Sequence, residues 1–231
     1  MCAPAPRRAL AVRVLRGCRA YDDVARRMRA THEAVRAGAA PDALLLCEHA
    51  PTVTVGKRAA RGEAHVKSSR EALARAGIAF ARADRGGDVT YHGPGQLTAY
   101  PVVSLRRARV GARAYVEGLE RCVSEALRGL GIDARGGGAG REGGWVRDGK
   151  IAAGGVKISA GTSSHGVAIN VDPDLTHFEH IVPCGLEGCE VTSVVKELGR
   201  AVAMRDVETR VVDAFAKRFS YADVFWSVED E

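Results

Sequence analysis

The chain has 231 residues, 46% hydrophobic and 27% charged, with a formal net charge of +6. That length can bury a sizeable core in one domain, and no apolar run reaches the roughly 18 residues that a membrane helix needs. Aromatic residues are only 5% of the chain and no basic run is interleaved with them, which argues against nucleic acid as a partner.

Residues 8–15, RALAVRVL, alternate as a strand does. Asp22 and Asp23 open an apolar periodicity through Val24, Met28 and Val35, which predicts a helix ending near Gly38. DALLLCEH (42–49) and TVTV (52–55) predict strands around the turn Ala50-Pro51. A short helix over 68–77 leads to a strand over 78–84. A strand over 96–105 follows, then a helix from about Ala112 to Gly131. Residues 144–171 read as a run of strands, and a last helix spans Arg205 to Arg218. Strands interleaved with helices, without linker or repeat, predict an α/β (α+β) class: a single domain with one mixed sheet flanked by helices.

The N-terminal MCAPAPRRAL lacks the apolar stretch of a signal peptide, and no span crosses a membrane. Cysteines 2, 18, 47, 122, 184 and 189 are scattered, a pattern of reduced thiols that points to the cytoplasm. Residues 1–70 hold 14 Lys or Arg against 6 Asp or Glu. That excess suits a solvated arginine surface or an acidic protein partner.

Between 136 and 166 there are 11 glycines in 31 residues, far above the usual share of about 7%. Within them G138-A-G140-R-E-G143 fits a dinucleotide-binding spacing. That motif must open a helix, whereas GWVRDGKIA reads as a hairpin turning at Asp148-Gly149, so the match is set aside.

Chemistry gathers in a few segments. R85-G-G-D-V-T-Y-H92-G-P-G-Q96 combines glycines that allow close backbone approach with the donors Arg85, Tyr91 and His92. Lys150 and Lys157 flank the small residues Ala152, Ala153, Gly154 and Gly155. Their odd offset puts them on opposite faces of a regular strand, so at most one serves a given site. His165 precedes an alternating strand. The stretch H177-F-E-H180-I-V-P-C184-G-L-E-G-C189 could supply four zinc ligands, or one thiolate nucleophile held on a rigid Pro-Cys-Gly turn. A nearby cation, Lys150, Lys157, His92 or His165, would stabilise that thiolate.

Taken together these segments resemble the lipoyl(octanoyl) transferases, also called octanoyl-acyl-carrier-protein:protein N-octanoyltransferases. The matching pieces are LLCEHAPTVTVGKR (45–58), RGGDVTYHGPGQLTAYPVV (85–103), DGKIAAGGVKIS (148–159), TSSHGVAINV (162–171), DLTHF (174–178), IVPCGLEG (181–188) and VTSVVKELG (191–199). The resemblance implies a biotin/lipoate protein ligase-like fold and a dyad of Cys184 as nucleophile and Lys150 as its cation and proton carrier. It places substrate contacts on Arg85, Gly86, Gly87, Asp88, Val89, Thr90, Tyr91 and His92, on Ala153, Gly154 and Gly155, and on Gly166, Val167 and Ala168. It also implies no metal and no cofactor. The donor would be octanoyl-acyl carrier protein. The acceptors would be the lipoyl domains of 2-oxoacid dehydrogenase complexes and the glycine cleavage H protein, with the enzyme acting as a monomer. Gly154 departs from the family pattern, which has a bulkier apolar residue there. An ATP-dependent lipoate or biotin ligase, a Cys–His thioesterase using His92 or His165, and a zinc-stabilised binding module are the competing readings.

Overall fold

The computed structural model describes residues 8–58, 63–138 and 140–230. Cys2 and the rest of the N-terminal segment, with Ala139 and Glu231, lie outside them. In chain order the strands are β1 (Ala9–Arg19), β2 (Asp42–His49), β3 (Thr52–Val55), β4 (Ala79–Arg82), β5 (Val89–His92) and β6 (Gln96–Val102). They continue with β7 (Arg135–Gly136), β8 (Gly143–Val146), β9 (Gly149–Ser159), β10 (Thr162–Asn170), β11 (Glu190–Val191) and β12 (Asp223–Glu229). The helices are α1 (Tyr21–Arg36), α2 (Arg70–Arg75), α3 (Leu105–Ala108), α4 (Ala112–Arg128), α5 (Val194–Leu198) and α6 (Met204–Arg218).

A large mixed sheet runs β12-β1-β2-β6-β10-β9-β8-β7, with β11 added beside β9, and a small one runs β4-β3-β5. Period-two alternation assigns its faces. Leu44 and Leu46, with Leu97 and Ala99, point into a core under α4 and α6 that includes Tyr115, Leu119, Val211 and Phe215. Leu45 and Cys47, with Tyr100 and Val102, point the other way, onto Val24, Met28 and Val35 of α1. The small sheet has its own core, in which Val53, Val55, Val89 and Tyr91 meet Phe178 and Ile181. No helix among the described residues is long and apolar enough to cross a membrane.

The fold joins the chain ends: β12 pairs in parallel with β1, Ala9 opposite Asp223. As the outer strand of the large sheet it exposes Phe225, Trp226 and Val228. Asp42, buried at the start of β2, ties several elements together. Its carboxylate accepts hydrogen bonds from Arg8 (2.8 Å), Arg107 (2.8 Å), the Ser104 amide (3.0 Å) and the Tyr221 hydroxyl (2.9 Å). Burial pushes its pKa up, but these donors together hold it below the usual carboxylate range. A depressed folded pKa means a contribution present above about pH 4 and lost as acid carries the group through its folded value. Asp42→Asn is therefore expected to cost about 3 kcal/mol at neutral pH, because it leaves two arginines facing an uncharged partner. Urea unfolding at pH 7 and pH 3 should show that gap shrinking in acid.

Several predicted elements need correction. The hairpin turns at Arg147-Asp148: Gly149 already belongs to β9 and pairs with Val146. The odd-offset argument for the two lysines fails because Ala152 opposes Gly144 while Lys150 opposes Trp145. The extra residue, Ile151, is a bulge that breaks strict alternation. β1 runs on to Arg19 across a second irregularity between Leu15 and Cys18. Residues 103–105 leave the strand, and Ser104 caps α3.

Candidate active site

β9 and β10 meet along small residues: Ala153 opposite Ala168, Gly154 opposite Val167, Gly155 opposite Gly166. A sheet surface without side chains is a trough, and the loop 85–88 lies over it, with the Gly86 amide donating to the Val156 carbonyl at 2.9 Å. Gly155 and Gly166 are required by this packing. A Cβ on Gly155 would sit 2.7 Å from the Gly86 oxygen, and one on Gly166 only 2.2 Å from the Ala99 oxygen.

A chamber of about 20 Å³, the size of one water, lies in this trough. Its walls are Tyr21, Arg85, Asp88, Val89, Thr90, His92, Thr98, Tyr100, Ala153, Gly154, Gly155, His165, Gly166, Val167 and Ala168, with Cys184. A groove of about 340 Å³ shares Gly154, Gly155, Gly166 and Val167 and reaches Gly86, Gly87 and the apolar Val116 and Leu119 of α4. Arg58 and Glu142 also line it, paired at 3.1 Å. Fourteen of the sixteen residues expected at the site thus line one of two adjoining spaces.

Tyr91 and Lys150 do not. Tyr91 points from β5 into the small core, shares a 2.7 Å hydrogen bond with His177 Nδ1 and meets Phe178 edge-on. Tyr91→Phe should cost about 1 kcal/mol of stability through that bond. Its effect on KM for the donor should be negligible in steady-state assays; a large rise would mean that Tyr91 touches substrate after all. Lys150 is 3% exposed. Its Nζ donates to the Glu142 carbonyl at 2.7 Å and lies 4.6 Å above the Trp145 ring. Its positive charge acts on Cys189 and the negative charge of a Cys184 thiolate acts there in the opposite sense, so the lysine and the Pro-Cys-Gly turn share one electrostatic neighbourhood. Lys157 lies apart, bound to Asp84 at 2.5 Å.

Cys184 sits half-buried between Pro183 and Gly185 with φ +56°. A non-glycine residue in this region is uncommon and marks strain held by its surroundings. Arg85 lies buried across from it. Its guanidinium donates to the Thr54 hydroxyl (2.8 Å), the Thr54 carbonyl (3.1 Å) and the Asp88 carbonyl (3.0 Å). Burial pulls the Arg85 pKa down, while the anionic forms of Tyr21 and Cys184 act in the opposite sense.

The histidines of the site are neutral at pH 7. His92 is driven well below its usual range by burial, then by His49 and Arg85. Its Nδ1–H donates to Gln96 Oε1 at 2.8 Å, and Gln96 in turn donates to Asn170 at 2.9 Å. His165 is also lowered by burial, against the pull of Asp84. Its Nε2–H donates to Asp84 Oδ1 at 2.6 Å, leaving Nδ1 as a buried acceptor on the chamber wall with the Thr98 hydroxyl. Burial raises Asp84, but the bonds from Lys157 and His165 outweigh it and hold that carboxyl at about 2.

The four side chains considered for zinc are used separately. His177 bonds Tyr91 and His180 bonds Ser68 (2.7 Å). Among the described residues no group of three or more His, Cys, Asp or Glu is placed to hold a metal ion. The basic excess is partly paired within the chain: Arg8 binds the buried Asp42 and Arg16 the buried Glu208, while Arg36 pairs with Glu33 and Arg58 with Glu142 at the surface.

Sequence reasoning missed Tyr21, Thr98 and Tyr100 as chamber walls. Alternation along QLTAY does put Thr98 and Tyr100 on one face, but nothing local says which face meets a ligand.

Residues 21–216 match the model of the lipoyl protein ligase A/B catalytic domain. The chain is 46% identical over 187 residues to the mitochondrial octanoyltransferase LIP2 of Arabidopsis thaliana, covering 80% of this chain and 79% of that one. It is 44% identical over 182 residues to a mitochondrial octanoyl-acyl-carrier-protein:protein N-octanoyltransferase of Xenopus tropicalis, covering 78% and 73%. A putative lipoate protein ligase from T. acidophilum with bound lipoic acid superposes with a TM-score of 0.72 at 18% identity, over 97% of this chain and 90% of that one. This last similarity is one of fold.

Proposed function

Because the chain belongs to the lipoyl protein ligase A/B catalytic-domain family and to its octanoyltransferase branch, we propose that it moves an octanoyl group from acyl carrier protein to a lysine of lipoyl-bearing proteins through a Cys184 thioester. The observation that carries this reading is the position of Cys184, strained and half-buried, on the wall of a chamber lined by small residues that adjoins an apolar groove.

The Cys184 thiolate attacks the donor thioester carbonyl; a new C–S bond forms and the carrier's thiol leaves. The acyl tail lies in the groove along Val167, Val116 and Leu119, since the inner chamber holds no more than a water-sized group. Lys150, in the same electrostatic neighbourhood, favours the thiolate by charge. Arg85 and the 85–88 backbone border the carbonyl end. In the second step an acceptor ε-amine attacks the enzyme thioester and leaves an amide. Exchange of one thioester for another is close to energy-neutral, so neither ATP nor a cofactor is needed. The acceptors are the lipoyl domains of 2-oxoacid dehydrogenase complexes and the glycine cleavage H protein, met by the chain as a monomer. Free thiols at Cys47, Cys122, Cys184 and Cys189 suit a reducing compartment such as the cytoplasm.

Purified protein mixed with octanoyl-acyl carrier protein and an apo lipoyl domain should produce the octanoyl amide with no nucleotide present. Transfer from free octanoate that requires ATP would instead assign the chain to the ligases.

A further inference from the structure

Two polar atoms at the chamber have no partner in the protein. Thr98 is 1% exposed and His165 is 2% exposed. Among the described residues, neither Thr98 Oγ1 nor His165 Nδ1 meets a hydrogen-bond partner. Buried polar atoms are almost always satisfied, because leaving one bare forfeits its hydration with nothing in return. Both residues line the chamber, whose volume of about 20 Å³ is the room that one water takes up.

The surroundings of His165 set what its second nitrogen can do. The Nε2–H is committed to Asp84 Oδ1 at 2.6 Å, and Lys157 binds the other oxygen of that carboxylate. That arrangement fixes the tautomer with a lone pair on Nδ1. The backbone of His165 lies at φ +57°, a strained conformation that its surroundings must hold. Thr98 supplies what His165 lacks, a hydroxyl hydrogen. A water between them accepts from the Thr98 hydroxyl and donates to His165 Nδ1. His92 lines the same chamber, and with its Nδ1–H given to Gln96 its Nε2 keeps a lone pair. Two to four polar partners are what a buried water needs. An acyl methyl group in this space would leave both orphaned atoms bare.

We propose that the chamber binds one ordered water between Thr98 and His165, and that this water bars the chamber to the acyl tail and turns the tail into the groove. The barring role rests on the function proposed above; the water site does not. Displacing a well-held water by a group that cannot repeat its hydrogen bonds costs affinity, so the chamber selects by polarity as well as by size. The adjoining groove offers the tail Val116, Leu119 and Val167 instead.

Thr98→Val keeps the shape of the side chain and removes its hydroxyl, and thermal unfolding reads the consequence without any substrate. If a water serves that hydroxyl, Tm should fall or rise by no more than about 2 °C. A larger rise would mean that the hydroxyl is bare in the unmodified protein, and would overturn the water site. A crystal structure should show one peak within hydrogen-bond distance of Thr98 Oγ1 and His165 Nδ1, kept in the octanoyl-enzyme. Acyl carbon found in that space would overturn the barring role. With its anchor lost, Thr98→Val should raise kcat/KM for a decanoyl donor relative to the octanoyl donor about tenfold. Thr98→Ser, which keeps a hydroxyl, should move that ratio far less. The same ratio in Thr98→Val as in the unmodified protein would also overturn the barring role. If the unmodified protein takes up no octanoyl group, the transfer function fails, while Tm and the chamber peak still decide the water site.

Discussion

Cys184→Ala is expected to lower octanoyl transfer by a factor on the order of 10⁴ or more while leaving the fold intact. The size of the effect follows from the chemistry: a covalent route has no substitute when its nucleophile is removed, and losses of that order accompany such deletions in other covalent enzymes. The fold should survive because Cys184 is half-buried on a turn, and its alanine removes one sulfur from the chamber wall. Cys189→Ala is the control. Its thiol donates to the Glu190 carbonyl at 3.5 Å, and burial pushes its pKa up, so it is the poorer nucleophile at neutral pH. Rates measured with saturating donor should therefore separate the two cysteines by several orders of magnitude.

Gly166→Ala is expected to produce the largest loss of stability among single substitutions at the site. Its Cβ would lie 2.2 Å from the Ala99 oxygen and 2.5 Å from Pro101 Cδ, both on the neighbouring strand β6, so the β10–β6 ladder must open. Overpacking against backbone costs about 3 kcal/mol, a fall in Tm of roughly 6–12 °C for a chain this long. Gly154→Ala makes the contrast. Its nearest neighbours would be Gly143 Cα and N, both at 3.7 Å, an ordinary contact, and the expected change is within about 0.5 kcal/mol. Thermal unfolding of the two variants side by side tests whether the trough is built by exclusion at Gly166 and merely left open at Gly154. A Cβ at position 154 makes only ordinary contacts with this backbone, so no backbone clash requires glycine there.

The sequence made some of this architecture legible and hid the rest, for physical reasons. Buried β2 and the amphipathic α1, α4 and α6 announce themselves because their apolar spacing is local and long. β5 does not: four residues between glycine-rich turns carry too little pattern, and VTYH reads as loop until β3 is found beside it. β12 escapes because it is defined by β1, at the other end of the chain. The regular-strand premise behind the Lys150–Lys157 offset does not hold, because a bulge at Ile151 breaks the alternation, although the two lysines do lie apart. Within the site, RGGDVTYHGPGQ and Pro-Cys-Gly were readable as motifs. Tyr21 was not, since it is brought to the chamber wall from the start of α1 by tertiary contact.

The central claim is that an acyl group passes through Cys184. Intact-protein mass spectrometry before and after mixing with octanoyl-acyl carrier protein tests it directly. The account predicts a gain of one octanoyl group, lost on later addition of an apo lipoyl domain, absent in Cys184→Ala and kept in Cys189→Ala. An acceptor domain that becomes octanoylated while Cys184→Ala works at the rate of the unmodified protein would contradict it.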